Sequence, residues 1–280
     1  MITPVGLITG HYECRSLKET VTVLSHLLAL EVAREADGEV TMKHPNTDWL
    51  LVVHEGGPDA PDKPRFNHYG VRVTTNQEVN RAHQYLEGKK KELRLKVDKV
   101  RDNHNAHSVH FVEPGGNWWE IESYEGAVEA GLGKTTDPHW TKRVTEDKFP
   151  GRGYIPQALT HGTLQCQNLE ATRRFYENVL GLEVVQLWPS SIYVKHSTTP
   201  WYIVNLETPL ENRKYVGRSQ RFTLAVESVD AVREAYRRLR EHGREIGLTG
   251  FEEIQESSGK ASFLLSDLNR NWWEITSPKQ

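Results

Sequence analysis

The sequence has little cysteine, no long apolar run and no excess of charge of one sign. Only 2 of its 280 residues are cysteine, which excludes a small fold held by several disulfide bridges. No apolar stretch approaches the roughly 18 residues of a membrane span, and the N-terminus lacks the segments of a secretion signal. A formal net charge of −3 with scattered basic residues argues against nucleic acid or an anionic membrane as partner. We therefore expect a soluble, cytoplasmic protein.

What the sequence does contain is an internal repeat. Asn117-Trp118-Trp119-Glu120-Ile121 returns as Asn271-Trp272-Trp273-Glu274-Ile275, at an offset of 154. Upstream the offset is 152, which pairs Cys14 with Cys166, and between these regions it is 153. A shift that drifts by only one or two residues indicates two copies of one structural unit. The cysteines then occupy equivalent places in two cores, and we expect two buried thiols rather than a disulfide.

Each copy divides again into two modules with the order strand, helix and three strands (βαβββ). The apolar periodicity predicts first strands at 6–15 and 159–167, each followed by a helix at 17–28 or 169–180. The pattern restarts with strands at 68–74 and 221–227 and helices from about 77 to 90 and 229 to 242. This predicts an α+β protein with a first module pair at 1–124 (1–60 and 65–124), a linker at 125–156 and a second pair at 157–280 (157–210 and 217–280).

These modules resemble those of the vicinal oxygen chelate superfamily, which includes glyoxalases, bleomycin-resistance proteins and type I extradiol dioxygenases. The most specific segment is Glu113-Pro114-Gly115-Gly116-Asn117-Trp118-Trp119-Glu120, which is similar to the family's Asp-Pro-x-Gly-Asn-x-x-Glu turn and ligand strand. The second copy departs from it, because Asp267-Leu268-Asn269-Arg270 replaces the proline and glycines. The resemblance implies that the four modules form two cup-shaped domains and that paired modules enclose one divalent metal ion.

The resemblance also implies where the metal ligands lie. They come from the first strand of one module and from the first and last strands of its partner. Carried over to this sequence, these positions are Thr9, His68 with Glu120, His161, and Arg221 with Glu274.

Two pairings of the modules distribute these positions differently. If neighbouring modules pair, each site lacks one ligand, although His11, two residues after Thr9 and on the same strand face, could complete the first one. If module two pairs with three and one with four, His68, Glu120 and His161 gather in one place. Because this swapped arrangement leaves one complete set, and the linker is long enough to allow it, we favour it.

Arg221 makes a separate prediction under either pairing. A guanidinium stays protonated and cannot coordinate a cation, so the cavity that contains it holds no metal. Glu274 would otherwise be a buried carboxylate without a counter-ion, and we expect it to pair with Arg221.

Three further histidines, His104, His107 and His110, precede Glu120. His110 occupies a position that resembles a substrate-contacting site of the extradiol signature, and we predict an acid/base or substrate-orienting role for it. Asn205 and Glu207 remain options for a fourth metal ligand of the glyoxalase type.

Two histidines and one carboxylate form a ligand set typical of non-haem Fe(II) oxygenases. We therefore hypothesise a metal-dependent, ring-cleaving dioxygenase of the extradiol type that acts on a small catechol-like aromatic substrate in aromatic catabolism. Its cofactor is one divalent metal ion, with Fe(II) favoured over Mn, Zn or Ni. The alternatives are a glyoxalase-like lyase, isomerase or epimerase that works without dioxygen, and a metal-free protein that binds small molecules. The substrate, the native metal and the oligomeric state stay open, a homodimer included.

Overall fold

The computed structural model describes residues 2–103, 106–126, 144–199 and 201–277. It divides into two compact units, which we call the central unit, Tyr12–Gly162, and the terminal unit, Met1–His11 with Thr163–Gln280. His104 and part of the predicted linker at 125–156 lie outside the described residues. The domain boundaries expected from the repeat stay a prediction.

The central unit contains two series of strands, each with one helix. The first is the end of β1 (Pro4–Cys14), helix α1 (Leu17–Leu28), and strands β2 (Glu31–Ala36), β3 (Glu39–Lys43) and β4 (Leu50–Glu55). The second is β5 (Tyr69–Arg72), α2 (Asn76–Lys89), β6 (Lys96–Val97), β7 (Arg101–Asn103), β8 (Ala106–Val112), β9 (Trp118–Ser123) and the start of β10 (Ala158–Cys166). Strands β2, β3 and β4 form an antiparallel meander. The second series has the spatial order β10-β5-β9-β8-β6, in which only β5 and β9 are parallel.

The terminal unit repeats this plan. It contains the end of β10, helix α3 (Leu169–Phe175) with a π-helical turn (Tyr176–Leu180), and strands β11 (Glu183–Trp188), β12 (Ser191–Lys195) and β13 (Tyr202–Glu207). After a 3-10 turn (Leu210–Asn212) come β14 (Arg221–Val226), α4 (Val229–His242), β15 (Gly250–Phe251), β16 (Gln255–Ser257), β17 (Lys260–Ser266) and β18 (Trp272–Thr276). Here β1, β14, β18, β17 and β15 are neighbours in that order.

The predicted α+β class is confirmed, and three of the four predicted helices match within a residue at each end. The predicted helix at 169–180 is α-helical only to Phe175 and then widens into the π turn. The second series of each unit also holds two short strands before the final pair, which the repeat alone did not predict. Within the described ranges, no helix is both long and apolar enough to span a membrane.

The helices α1 to α4 each begin directly after a residue whose side chain caps them. Ser16, Thr75, Asn168 and Ser228 each accept a hydrogen bond from a backbone N–H three residues further on. At Thr75 the bond is reciprocal, because the Glu78 carboxylate accepts from the Thr75 backbone N–H at 3.0 Å. Such caps stabilise a helix by about 1 kcal/mol each, so the helix starts are encoded locally.

The second tryptophan of each repeated Trp-Trp pair lies in a buried aromatic cluster. Trp119 packs against Tyr12 and Tyr69, with ring centroids 6.1 and 5.8 Å away. In the terminal unit, Trp273 packs against Tyr176 and Phe222, at 5.2 and 5.9 Å. Because side chains alternate along a strand, burial of these two indoles directs the glutamate that follows each of them to the opposite face of its sheet.

The turn before the last strand has the same hydrogen bonding in both copies despite the sequence departure. The Glu113 carboxylate accepts from the backbone N–H groups of Gly115 and Asn117, and the Asp267 carboxylate accepts from those of Asn269 and Asn271. Gly116 adopts a left-handed φ of 93°, and Arg270 takes that place with φ 64°. The second copy therefore keeps the turn, with a non-glycine residue in a conformation that costs it about 1–2 kcal/mol.

Both cysteines are buried free thiols, as the repeat predicts. Burial raises the pKa of Cys14 and of Cys166 to about 12, so neither supplies a thiolate at neutral pH.

Candidate metal site

Four residues of the central unit form one row across four neighbouring strands. His161 of β10 is the partner of Gly70 of β5, Gly70 is the partner of Glu120 of β9, and Glu120 is the partner of His110 of β8. His68 directly precedes β5, two residues before Gly70. Since partners in neighbouring strands project to the same face, this register brings the imidazoles and the carboxylate together.

The structure brings together the three predicted ligands of the swapped pairing. Nε2 of His68 and Nε2 of His161 each lie 3.2 Å from Oε2 of Glu120. The candidate ligand atoms all lie within 4.8 Å of one another, which makes this a group that could hold a metal ion. All three residues are buried, and the pairing of β5 with β10 and of β1 with β14 is the one that the ligand distribution predicts.

The other ring nitrogen of each histidine ligand faces an acceptor. Nδ1 of His68 lies 2.6 Å from the backbone carbonyl oxygen of Arg65, and Nδ1 of His161 lies 3.2 Å from Oε1 of Glu122. A carbonyl or carboxylate oxygen can only accept, so Nδ1 carries the proton in both rings. In the neutral imidazole the lone pair is then on Nε2, the nitrogen that faces Glu120, which is the arrangement a metal ligand needs.

The charges of the site favour a cation. Burial opposes ionisation of Glu120, but the three histidines around it, His110, His161 and His68, outweigh burial through charge and hydrogen bonding and hold its pKa well below the usual range. Burial lowers the pKa of His161, but Glu122 and Glu120 outweigh that effect and raise it to about 9. The two buried carboxylates thus stabilise positive charge at Nε2 of His161. A proton can supply that charge, and a divalent cation would replace it, so the donor set fits a metal ion.

The terminal unit has the equivalent row with different residues. Thr9, Thr223, Glu274 and Leu264 replace His161, Gly70, Glu120 and His110, and Arg221 replaces His68. Nε of Arg221 donates to Oε2 of Glu274 at 3.1 Å, which is the ion pair expected from the sequence.

His11, the alternative ligand under neighbour pairing, lies beside this ion pair. Its Nε2 is 2.9 Å from Oγ1 of Thr223 and 3.8 Å from Oε2 of Glu274. His11 is therefore grouped with the carboxylate that already pairs with Arg221, whereas His68 and Glu120 are grouped with His161.

Comparison with known proteins agrees with this geometry. Residues 158–275 match the family model described as the glyoxalase/bleomycin resistance protein/dioxygenase superfamily. The match lies in the second half of the sequence. No curated protein matches the sequence. The first half repeats the matched half, so the resemblance noted from the sequence is confirmed.

Solved structures share the fold at low sequence identity. A candidate dioxygenase from Bacillus subtilis subsp. subtilis strain 168 is 14% identical with a TM-score of 0.66, over 100% of this chain and 87% of that one. Glyoxalase I from Zea mays is 12% identical with a TM-score of 0.67, over 97% and 92% of the two chains. At these identities the likeness shows the fold alone, and the predicted vicinal oxygen chelate fold is confirmed.

The cluster holds no fourth His, Cys, Asp or Glu ligand among the residues that the structure describes. Of the two residues suggested by analogy with glyoxalases, Asn205 uses its Oδ1 to accept from the Tyr176 hydroxyl at 3.0 Å, and Glu207 is exposed. Two imidazole nitrogens and a carboxylate oxygen suit Fe, Mn, Zn or Ni, so the donor types do not select one metal.

His110 is held as a hydrogen-bond donor. Its Nδ1 faces Nη2 of Arg65 at 3.3 Å, and a guanidinium can only donate, so the ring proton lies on Nε2. That nitrogen lies 3.4 Å from Oε1 of Glu120. Burial lowers the pKa of His110 to about 3, which keeps the ring neutral. The catalytic role of His110 stays a prediction, and this geometry favours its orienting form over an acid/base form.

Gly70 is a site residue that the sequence reasoning missed. A Cβ atom at Gly70 would lie 2.0 Å from Cε1 of His161, far inside van der Waals contact. A comparison of equivalent positions would have indicated this glycine. In the terminal unit Gly70 is replaced by Thr223, and His161 is replaced by Thr9.

We expect Gly70→Ala to weaken metal binding by at least about 100-fold, because the His161 ring must leave the row. Competition between Co(II) and a chromophoric chelator measures this effect. Gly88→Ala is the matched control, since a Cβ there meets nothing within 4 Å. Equal affinities of the two variants would contradict the role assigned to Gly70.

We expect Arg221→Ala to lower the free energy of unfolding by about 2–3 kcal/mol without changing the metal content. The substitution leaves the carboxylate of Glu274, which is only 14% exposed, without its guanidinium. Urea denaturation measures the change. Arg218→Ala, which removes an exposed ion pair with Glu252, should cost at most about 0.5 kcal/mol. A similar loss in both variants would show that the Arg221 pair is not an important stabilising contact.

Proposed function

We propose that the protein is a metal-dependent, ring-cleaving dioxygenase of the extradiol type that acts on a small catechol-like aromatic substrate. The observation that carries this proposal is the convergence of two imidazoles and one carboxylate in a cluster with no fourth His, Cys, Asp or Glu ligand among the described residues. An ion held by these three residues would keep coordination positions open, and such an ion could bind two neighbouring substrate oxygens and dioxygen. A fourth protein ligand, as the glyoxalase alternative suggests, would occupy one of them.

The ligands of this proposal are His68, Glu120 and His161, and Fe(II) is the favoured ion. When bound, such an ion supplies Lewis acidity, lowers the pKa of a substrate hydroxyl and orients the reactants. The protein then has to hold the three ligand atoms on one side of the ion and limit the rotation of the ligand side chains. The acceptors at Nδ1 of both histidines meet that need.

His110 contributes an oriented donor beside the ligands. Its Nε2–H points to Oε1 of Glu120, which leaves Oε2, the oxygen nearest both histidines, for the ion. The rings of His110 and His68 meet edge to face with centroids 4.9 Å apart, so His110 also limits the rotation of a ligand. We assign to His110 the orientation of Glu120; to orient a substrate oxygen as well, its Nε2–H would have to turn from Glu120 to that oxygen.

The proposal places the protein in the breakdown of aromatic compounds in the cytoplasm. The superfamily match supports a small-molecule substrate. We propose the catechol-like class because an ion held by three protein ligands could bind two neighbouring oxygens. The superfamily includes oligomeric proteins, and a homodimer stays a prediction.

Anaerobic purification, metal analysis and oxygen uptake with a panel of catechols test this proposal. We expect about one iron per chain and consumption of one dioxygen per catechol, with the absorbance of a ring-opened product. Glu120→Gln, which keeps the shape of the side chain but not its charge, should lose the iron and the uptake.

Other outcomes would favour the alternatives. Bound nickel or zinc without oxygen uptake would replace the dioxygenase by a glyoxalase-like lyase, isomerase or epimerase. A wild-type protein that binds no divalent metal would indicate a metal-free binding protein.

A further inference from the structure

We infer that Arg72 and Glu122 are positioning residues that fix the orientation and tautomer of the candidate metal ligand His161. This inference rests on the metal site of the proposed function but not on the reaction performed there. The two residues lie on the Nδ1 side of His161, away from the nitrogen that would bind the metal.

The contacts form a continuous chain from a guanidinium to the ligand. Nη2 and Nε of Arg72 donate to Oε1 of Glu122 at 2.7 and 3.1 Å. The same carboxylate oxygen lies 3.2 Å from Nδ1 of His161, and the Thr160 hydroxyl donates to it at 3.4 Å. The guanidinium also stacks over the ring of Tyr124, 4.3 Å from its centroid. Arg72 thus fixes the position of the Glu122 carboxylate, which accepts a hydrogen bond from Nδ1–H of His161.

The strand register explains why these residues meet. Arg72 and Glu122 are partners in the parallel pair of β5 and β9, one row beyond the row that contains Gly70 and Glu120. Both therefore share the face of the ligand row, since positions two apart on a strand project to the same side. The ring of His161 spans the two rows, with Nε2 over Glu120 and Nδ1 over Glu122.

Burial makes a purely stabilising role a poor explanation. The side chains of Arg72 and Glu122 are 2% and 3% exposed. Removing two such charges from water costs several kcal/mol per ion, and well-packed apolar residues often replace a buried pair without loss of stability. A buried ion pair is therefore weak evidence for a contribution to stability.

The terminal unit provides an independent observation. In the terminal unit the positions of Arg72, Glu122 and His161 are occupied by Ala225, Thr276 and Thr9. The strands pair in the same way, so the fold does not require the charged pair. The pair occurs where the ligand set is complete and is missing where the set is incomplete.

The physical effect is on geometry and ligand strength. A carboxylate behind Nδ1–H excludes the other tautomer, limits rotation of the ring and makes Nε2 a stronger donor to a metal. Removal of such an outer partner lowers metal affinity by about 10- to 100-fold.

The test uses the full chain, Co(II) as probe and two variants. Glu122→Gln keeps the volume and removes the charge. Arg72→Ala/Glu122→Thr introduces the residues of the second copy, which the same fold already accommodates. We expect Co(II) affinity to fall about 10-fold or more in Glu122→Gln and further in the double variant. The ligand-field absorbance of bound Co(II) should change, and in the Zn(II)-loaded protein the downfield Nδ1–H resonance of His161 should move upfield or exchange away.

The outcomes separate this inference from the proposed function. Unchanged affinity, absorbance and Nδ1–H resonance in the variants would overturn the inference alone. Loss of folding in both variants would assign the pair to stability and also overturn it. A wild type that binds no divalent metal would overturn both proposals. Tight metal binding without oxygen uptake would remove the dioxygenase and leave the positioning role standing.

Discussion

His161→Ala is expected to lose the metal ion, whereas His11→Ala keeps it. Nε2 of His161 is one of three candidate ligand atoms, and without it Oε2 of Glu120 retains only His68 from the triad. Loss of a direct ligand should exceed the roughly 100-fold effect of losing an outer partner. Metal analysis after anaerobic purification, followed by Co(II) titration, measures both variants.

His11→Ala is a demanding control because His11 is a buried histidine on a first strand, as His161 is. Its contacts are to Thr223 and Glu274, beside an arginine that cannot bind a metal. The reverse result, with metal lost only in His11→Ala, would overturn the grouping of His161 with His68 and Glu120. Loss in both variants with intact folding would mean that the two positions serve one site.

The ligand grouping could be predicted because the repeat fixes the strand register. The Trp-Trp-Glu segments identify the last strand of each copy, and offsets that change only from 152 to 154 carry each first strand onto its equivalent. A one-residue slip would turn every side chain to the other face, so an aligned repeat fixes which residues share a face. Only the swapped pairing then gives a complete set, and the strand pairs β5–β10 and β1–β14 agree with it.

The supporting residues could not be predicted from the ligand pattern alone. A comparison of the copies would have indicated Arg72 and Glu122, since these charged residues in buried strands correspond to Ala225 and Thr276 in the second copy. The sequence pattern did not indicate a role for Arg65. It precedes β5, and its effect on His110 depends on a contact between residues 45 positions apart.

The short strands β6 and β7 were missed for another physical reason. They have two and three residues, and β7 is fully exposed, so neither has an apolar alternation that a sequence can reveal. They exist because β8 offers them backbone partners. Strand formation of this kind depends on the neighbour more than on intrinsic preference.

A second metal ion is expected in the variant Thr9→His/Arg221→His/Thr223→Gly. These changes give the terminal unit the ligand row of the central unit, with Glu274 already in place of Glu120. Removing Arg221 removes the cation that now pairs with Glu274. Thr223→Gly is needed because a Cβ at the equivalent Gly70 would lie 2.0 Å from the ring of His161.

The new site should be weaker than the first by about 100-fold or more, because Ala225 and Thr276 cannot orient the added histidine as Arg72 and Glu122 orient His161. Metal stoichiometry by mass spectrometry of the native protein should rise from about one ion per chain to about two. The variant without Thr223→Gly is the control and should stay near one. If the triple variant folds and still binds one ion, the two rows are not equivalent in geometry. The residues that differ in the terminal unit would then not by themselves explain why its described residues form no candidate metal cluster.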